Sequence, residues 1–126
     1  MTTWTTSKLG EAIELAYGKS LPERSRIEGP IGVYGSNGQV GSHIEACVRG
    51  PGIVVGRKGS VGEVAYSADD FWPIDTTYFV VQKQNHSWRF LFHLLRYYDM
   101  TGLNSHSAVP GLNREDAYKI EVRFPD

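Results

Sequence analysis

Gly52-Ile53-Val54-Val55-Gly56-Arg57-Lys58-Gly59-Ser60-Val61-Gly62 is the stretch that organises this chain. Ile53 to Val55 is an apolar, β-branched run of strand length. It enters a turn that sets two adjacent cations, Arg57 and Lys58, between glycines. Gly62 follows three residues after Gly59. Glycine tolerates positive φ and lets other groups approach the backbone closely. Arg57 and Lys58 on such a turn are placed to meet a phosphate or a guanine edge, and Ser60 stands beside them. The plain alternative is a tight hairpin with a solvated basic tip.

Working outward, Val61 to Tyr66 reads as the return strand and Ser67-Ala68-Asp69-Asp70 as a second turn. Upstream, Ile31 to Tyr34 is a short strand, Gly35 to Gly38 a turn, and Gln39 to Cys47 its return. Asn37-Gly38 is a strong hairpin signal and suits a type I′ turn. Ser36, Asn37 and Gln39 then stand at or near one hairpin tip. Asn and Gln can pair in bidentate fashion with adenine, so these are candidate base readers. The loop from Gly18 to Arg26 carries Lys19, Arg24 and Arg26, partly offset by Glu23 and Glu28. With Arg49, these cations are candidate phosphate contacts; a solvated loop is the plain alternative.

Ser7 to Ile13 reads as a short helical start with Ser7 as a cap, and the chain on to Tyr17 fits a strand equally well. Pro73 cannot donate to a ladder, so Phe71 and Trp72 are expected before the strand that runs to Val81, packed in the core. Asp75-Thr76-Thr77 suits a local backbone cap. Ser87 to Asp99 is the clearest helix, with Trp88, Leu91, Phe92 and Leu95 at helical spacing, Ser87 or Asn85 at its start and Gly102 at its end. Thr101 to Asn113 is a loop, Arg114 to Ala117 one helical turn, and Lys119 to Phe124 a final strand with Ile120, Val122 and Phe124 inward.

The 126 residues suit one domain with a real core. The fold class expected is α+β: a curved, mostly antiparallel β-sheet of many short strands and hairpins, flanked by a short N-terminal helix and a longer one near 87–99. Of the 14 glycines most precede residue 63, as many turns between short strands require. A net charge of −1 gives no global pull toward nucleic acid. From Cys47 to Ser60, however, the charged residues Arg49, Arg57 and Lys58 are offset by no acid. Cys47 stands alone, so no internal disulfide forms, and a reducing cytoplasm is the simple inference. No apolar run is long enough to span a membrane. Met1-Thr2-Thr3-Trp4 lacks the cationic and apolar regions of a signal peptide.

Catalytic signals are absent. His43, His86, His93 and His106 are scattered and make no familiar zinc spacing with Cys47. There is no Walker-type loop, no dinucleotide fingerprint and no nucleophile elbow. Glu63, Asp69, Asp70 and Asp75 are fixed as no metal or acid–base site. Gly56-Arg57-Lys58-Gly59 matches the GXXG loop with which KH domains clamp single strands. That loop joins helices, whereas the flanks here are β-like, so the KH fold is disfavoured and a single-stranded ligand stays open.

Taken together, the segments resemble the target-recognition domain of the specificity (S) subunit of type I restriction-modification systems. The resemblance is carried by Lys8-Leu9-Gly10-Glu11, Tyr17-Gly18-Lys19-Ser20-Leu21, Val33-Tyr34-Gly35-Ser36-Asn37-Gly38, Gly52 to Gly62, Phe71-Trp72-Pro73-Ile74-Asp75-Thr76 and Ser107-Ala108-Val109-Pro110-Gly111-Leu112-Asn113. Six motifs in the family's order span nearly the whole chain. The resemblance implies sequence-specific recognition of double-stranded DNA, mainly through the major groove, with no catalysis and no cofactor. It implies as partners a DNA adenine methyltransferase (M) subunit and a restriction (R) subunit, which the S subunit addresses to a target. A full family member carries two recognition domains and long spacer helices. Residues 1–126 are expected to form one such domain without those helices, and a homodimer would imitate the two-domain arrangement. The alternative is a free-standing protein-interaction or adaptor module of the same fold that has lost DNA binding; the net charge of −1 favours it.

Overall fold

The computed structural model of the chain describes residues 3–103 and 111–125. Its centre is the apolar run singled out above. Gly52–Gly56 forms a strand in which every residue is buried. Burying each Val or Ile side chain there stabilises the fold by roughly 1.5–3 kcal/mol. Numbered along the chain, the strands are β1 (Trp4–Lys8), β2 (Ile13–Tyr17), β3 (Ile31–Gly35), β4 (Gly38–His43), β5 (Gly52–Gly56), β6 (Val64–Ser67), β7 (Phe71–Pro73), β8 (Thr77–Gln82) and β9 (Glu121–Pro125). The helices are α1 (Leu9–Ala12), α2 (Trp88–Tyr97) and α3 (Arg114–Tyr118). This is the expected mostly antiparallel α+β fold, divided into three small sheets.

The largest sheet has the order β2-β8-β5-β6, all antiparallel. β5 lies inside it, with Val54 opposite Ala65 on one side and Phe79 on the other. A strand paired on both edges and covered on its faces needs a continuous apolar run rather than an alternating one. Helix α2 covers this sheet with Leu91, Leu94 and Leu95. The Ser87 hydroxyl caps it by accepting from the Phe90 N–H at 3.4 Å.

Gly102 does not end that helix. The helix ends at Tyr97 with Tyr98 as its C-cap, and Asp99, at φ +37°, caps the 3₁₀ turn that follows, its carboxylate accepting from the Thr101 N–H at 3.1 Å and hydroxyl at 2.6 Å. These bonds hold the Asp99 carboxyl below the usual carboxylate range.

The second sheet, β4-β3-β7, carries the hairpin over a smaller core of Leu21, Val33 and Trp72. Two expectations change here. Phe71 and Trp72 are buried as expected, but they belong to a strand: β7 pairs parallel with β3, Val33 opposite Trp72 and Tyr34 opposite Pro73. Pro73 is tolerated because it is the strand's last residue, where the following Ile74 N–H resumes the bonding to the Tyr34 carbonyl at 2.9 Å. The hairpin is also not type I′. Only Gly38 of the Asn-Gly pair takes a left-handed φ, +100°, and the register slips between Val33 and Tyr34.

The third sheet pairs β1 with β9, Ser7 opposite Val122. Ser7 is therefore a strand residue and not a helix cap. The polar run Trp4 to Lys8 becomes a strand through pairing with β9, whose Val122 and Phe124 are buried. The return from β5 is shorter than expected, since residues 61–63 remain in the turn and β6 begins at Val64. Likewise β4 ends at His43, not Cys47. Ser105 to Pro110, with the first part of the sixth resemblance motif and His106, lie outside the described residues.

Candidate nucleic-acid interface

The central turn is held by its own backbone and by three other segments. The Gly62 N–H donates to the Gly56 carbonyl at 2.9 Å, and the Gly56 N–H to the Glu63 carbonyl at 2.8 Å. Gly59 and Gly62 take φ of +78° and +79°, values that side chains resist. The Thr76 carbonyl accepts from the N–H groups of Arg57, 2.9 Å, and Lys58, 3.1 Å, and from the Ser36 hydroxyl at 2.7 Å. From the far end of the chain, the Leu112 N–H donates to the Arg57 carbonyl at 2.8 Å. The turn is thus a junction, more rigid than a solvated hairpin tip.

Its two cations are placed differently. Lys58 is exposed. Arg57 is half-buried and turned inward: Nη2 donates to the Asp75 carbonyl, and Nε is buried with no hydrogen-bond partner among the described residues. Its guanidinium carbon lies 5.4 Å from the centre of the Tyr17 ring. Arg114, the first residue of α3, approaches the same ring to 4.6 Å and donates from Nη1 to the Leu15 carbonyl at 2.9 Å. Beneath them the buried Tyr78 hydroxyl donates to the Leu112 carbonyl at 2.8 Å. Burial pushes the Tyr78 phenol up and neighbouring Tyr17 adds to that, while Arg57 and Arg114 pull it back.

The hairpin tip adjoins this turn. A side chain at Gly56 would meet both the Ser60 carbonyl and Ser36, so Ser36, Gly56 and Ser60 lie together. Asn37 is exposed beside them. Gln39 is exposed and lends its amide to the Gly41 carbonyl at 3.2 Å.

Lys19 is attached through β7. Its N–H donates to the Pro73 carbonyl at 2.9 Å, its carbonyl accepts from Trp72 Nε1 at 2.8 Å, and its Nζ stands 5.6 Å from the Trp72 ring. Arg26 Nε donates to the Leu21 carbonyl at 3.1 Å, and the side chain lies against Gly41 of β4. Arg24, in a single 3₁₀ turn, and Arg49 are exposed. No bond among the described residues ties these two to the central turn. The sequence places Tyr17 in a resemblance motif and Arg114 in a helical turn, but neither is expected beside the basic turn. No local pattern tells of that position, because it is the packing of the end of β2 against the start of α3 that brings them to the turn.

Loops held on small sheets thus carry exposed cations and amides at their tips. Among the described residues no group of three His, Cys, Asp or Glu side chains could hold a metal ion, and no helix is long and apolar enough to cross a membrane.

The profile of the Type I restriction modification DNA specificity domain family matches residues 1–126, and the chain belongs to that family. It is similar in structure to the S subunit of a type I restriction-modification system from M. genitalium, with a TM-score of 0.84 and 16% identity over 98% of this chain and 35% of that one. It is also similar to the HsdS subunit from Thermoanaerobacter tengcongensis, with a TM-score of 0.67 and 14% identity over 97% and 33% of the two chains. A third similar chain comes from a structural study of complex assembly and conformational transition of the type I R-M system, with a TM-score of 0.71 and 15% identity over 97% and 34%. The chain spans about a third of the length of these solved chains. A search of the curated proteins finds no match.

Proposed function

We propose that this domain recognises double-stranded DNA in a sequence-dependent way and takes no part in bond-making or bond-breaking itself. The observation that carries the reading is the union of hairpin tip and central turn at the Thr76 carbonyl, in a member of the DNA specificity domain family. It holds the exposed Lys58, Asn37 and Gln39 on one firm base. Lys58 contacts phosphate or a guanine edge, and Asn37, Gln39 and Ser36 face bases. Lys19, Arg24, Arg26 and Arg49 meet phosphates along the flank, and Ser60 lies beside the contact. Arg57 contributes positive charge at the turn. Family membership further supports assembly with a methyltransferase (M) and a restriction (R) subunit, which the domain directs to a target.

A few cations give weak, salt-sensitive binding, in the range of roughly 10⁻⁴–10⁻⁶ M at physiological salt. The test is fluorescence anisotropy at low salt with random duplex DNA, comparing the wild type with an Arg57→Ala/Lys58→Ala double variant. Salt-sensitive binding that the double variant loses supports the reading. Equal binding by both moves the DNA face elsewhere.

A second reading, a protein-interaction module of the same fold, draws on one observation. A groove of about 480 Å³ lined by Trp4, Phe90, Leu94, Tyr97 and Tyr98 exposes apolar surface and uses none of the residues assigned to DNA. Failure of the wild type to bind DNA under the conditions above favours it.

A further inference from the structure

We propose that Tyr17, Arg57 and Arg114 form a phosphate-binding cluster that seats the DNA backbone beside the central turn without reading its sequence. This rests on the DNA-recognition reading above.

The three residues come from distant parts of the chain: the end of β2, the central turn and the start of α3. Tyr17 is 55% exposed, so a large ring stands in solvent with two guanidinium groups against it. Those groups lie no more than about 10 Å apart. No carboxylate among the described residues forms an ion pair with either. Two like charges held on one ring, without an ion pair to either among the described residues, make a local positive potential that an anion would relieve.

For Arg57 the hydrogen-bonding groups favour phosphate over a base. Bidentate reading of guanine needs two parallel N–H groups of one guanidinium facing outward. Arg57 has Nη2 engaged with the Asp75 carbonyl and Nε buried, which leaves Nη1. Arg114 has Nη1 engaged with the Leu15 carbonyl. Each side chain is fixed by one arm and keeps donors on the other. Two anchored cations that keep free donors, Nη1 on Arg57 and Nη2 and Nε on Arg114, suit the several acceptor oxygens of a phosphate through charge-assisted bonds. The Tyr17 hydroxyl, without a hydrogen-bond partner among the described residues, can add a third donor. The Leu112 to Arg57 backbone bond keeps the Arg114 segment in register with the turn, so the phosphate contact and the proposed base readers share one frame.

The test is a salt series of anisotropy titrations with two 20-bp duplexes of unrelated sequence. The proteins are the wild type, Arg114→Gln, Arg114→Lys and Lys58→Ala. Arg114→Gln keeps an amide donor for the Leu15 carbonyl and removes the charge. It is expected to weaken binding by the same factor on both duplexes and to reduce the slope of log affinity against log salt by about 0.9. Arg114→Lys is expected to keep the slope, which separates lost charge from disturbed folding. If Lys58→Ala lowers the slope while Arg114→Gln leaves it unchanged, the cluster is refuted and the DNA reading stands. A slope lost equally in Arg114→Lys and Arg114→Gln also refutes it, as does a loss confined to one duplex. If the wild type shows no salt-sensitive binding, both readings fall.

Discussion

The Ser36 hydroxyl donates to the Thr76 carbonyl at 2.7 Å, across forty residues of chain. The same carbonyl receives the N–H groups of Arg57 and Lys58, so one peptide oxygen aligns the hairpin tip with the basic turn. Ser36→Ala removes the side-chain member of this junction. It is expected to cost about 1 kcal/mol in a urea melt and to speed amide exchange at Arg57 and Lys58. Unchanged exchange at both amides would show that the junction holds without Ser36.

Two glycines make opposite predictions. Gly62 has φ +79°, and a side chain there would run into the Met100 backbone. Gly62→Ala is expected to destabilise by more than the roughly 1–2 kcal/mol of left-handed strain alone and to disturb the turn. Gly102 has open space around its Cβ position and no left-handed φ. Gly102→Ala is expected to be neutral or stabilising by up to about 1 kcal/mol. Thermal melts of the two variants decide it; a marked loss from Gly102→Ala would mean that the 3₁₀ turn Met100–Gly102 needs a glycine at its end.

Cys47 offers a native probe of the flank. Loss of surrounding water pushes its thiol up, while the charge of Lys19 pulls it back. A raised pKa means less thiolate at a given pH, so alkylation by iodoacetamide near neutral pH is expected to lag behind a free thiol and to catch up as pH rises. Lys19→Ala removes the cation that favours thiolate and is expected to slow the reaction further. An equal or faster rate in that variant would separate Lys19 from Cys47.

The parts of the fold visible in the sequence were those set by local chemistry. The β-branched run at Ile53 to Val55 is β5, and the spacing of Leu91 and Leu95 is the buried face of α2. What was not visible depended on distant partners. Trp4 to Lys8 has no strand pattern of its own and is a strand because β9 lies beside it. Phe71 to Pro73 joins β3 in spite of the proline because the proline comes last. At the site, the exposed Lys58, Asn37 and Gln39 stand where turn chemistry puts them. The inward turn of Arg57 was hidden, since it is set by Tyr17 and by the Asp75 carbonyl, neither of them neighbours in sequence.

The central claim is that DNA is met at the joined hairpin and basic turn. The most direct measurement is a backbone amide NMR titration of the ¹⁵N-labelled domain with duplex DNA at low salt, which reports contacts even at weak affinity. The account predicts shifts concentrated at Asn37, Gln39, Lys58 and Gly59, extending to Lys19 and Arg49 and sparing Trp4, Leu94 and Tyr97. Shifts gathered around the Trp4 and Tyr97 groove, with the central turn unmoved, would contradict it.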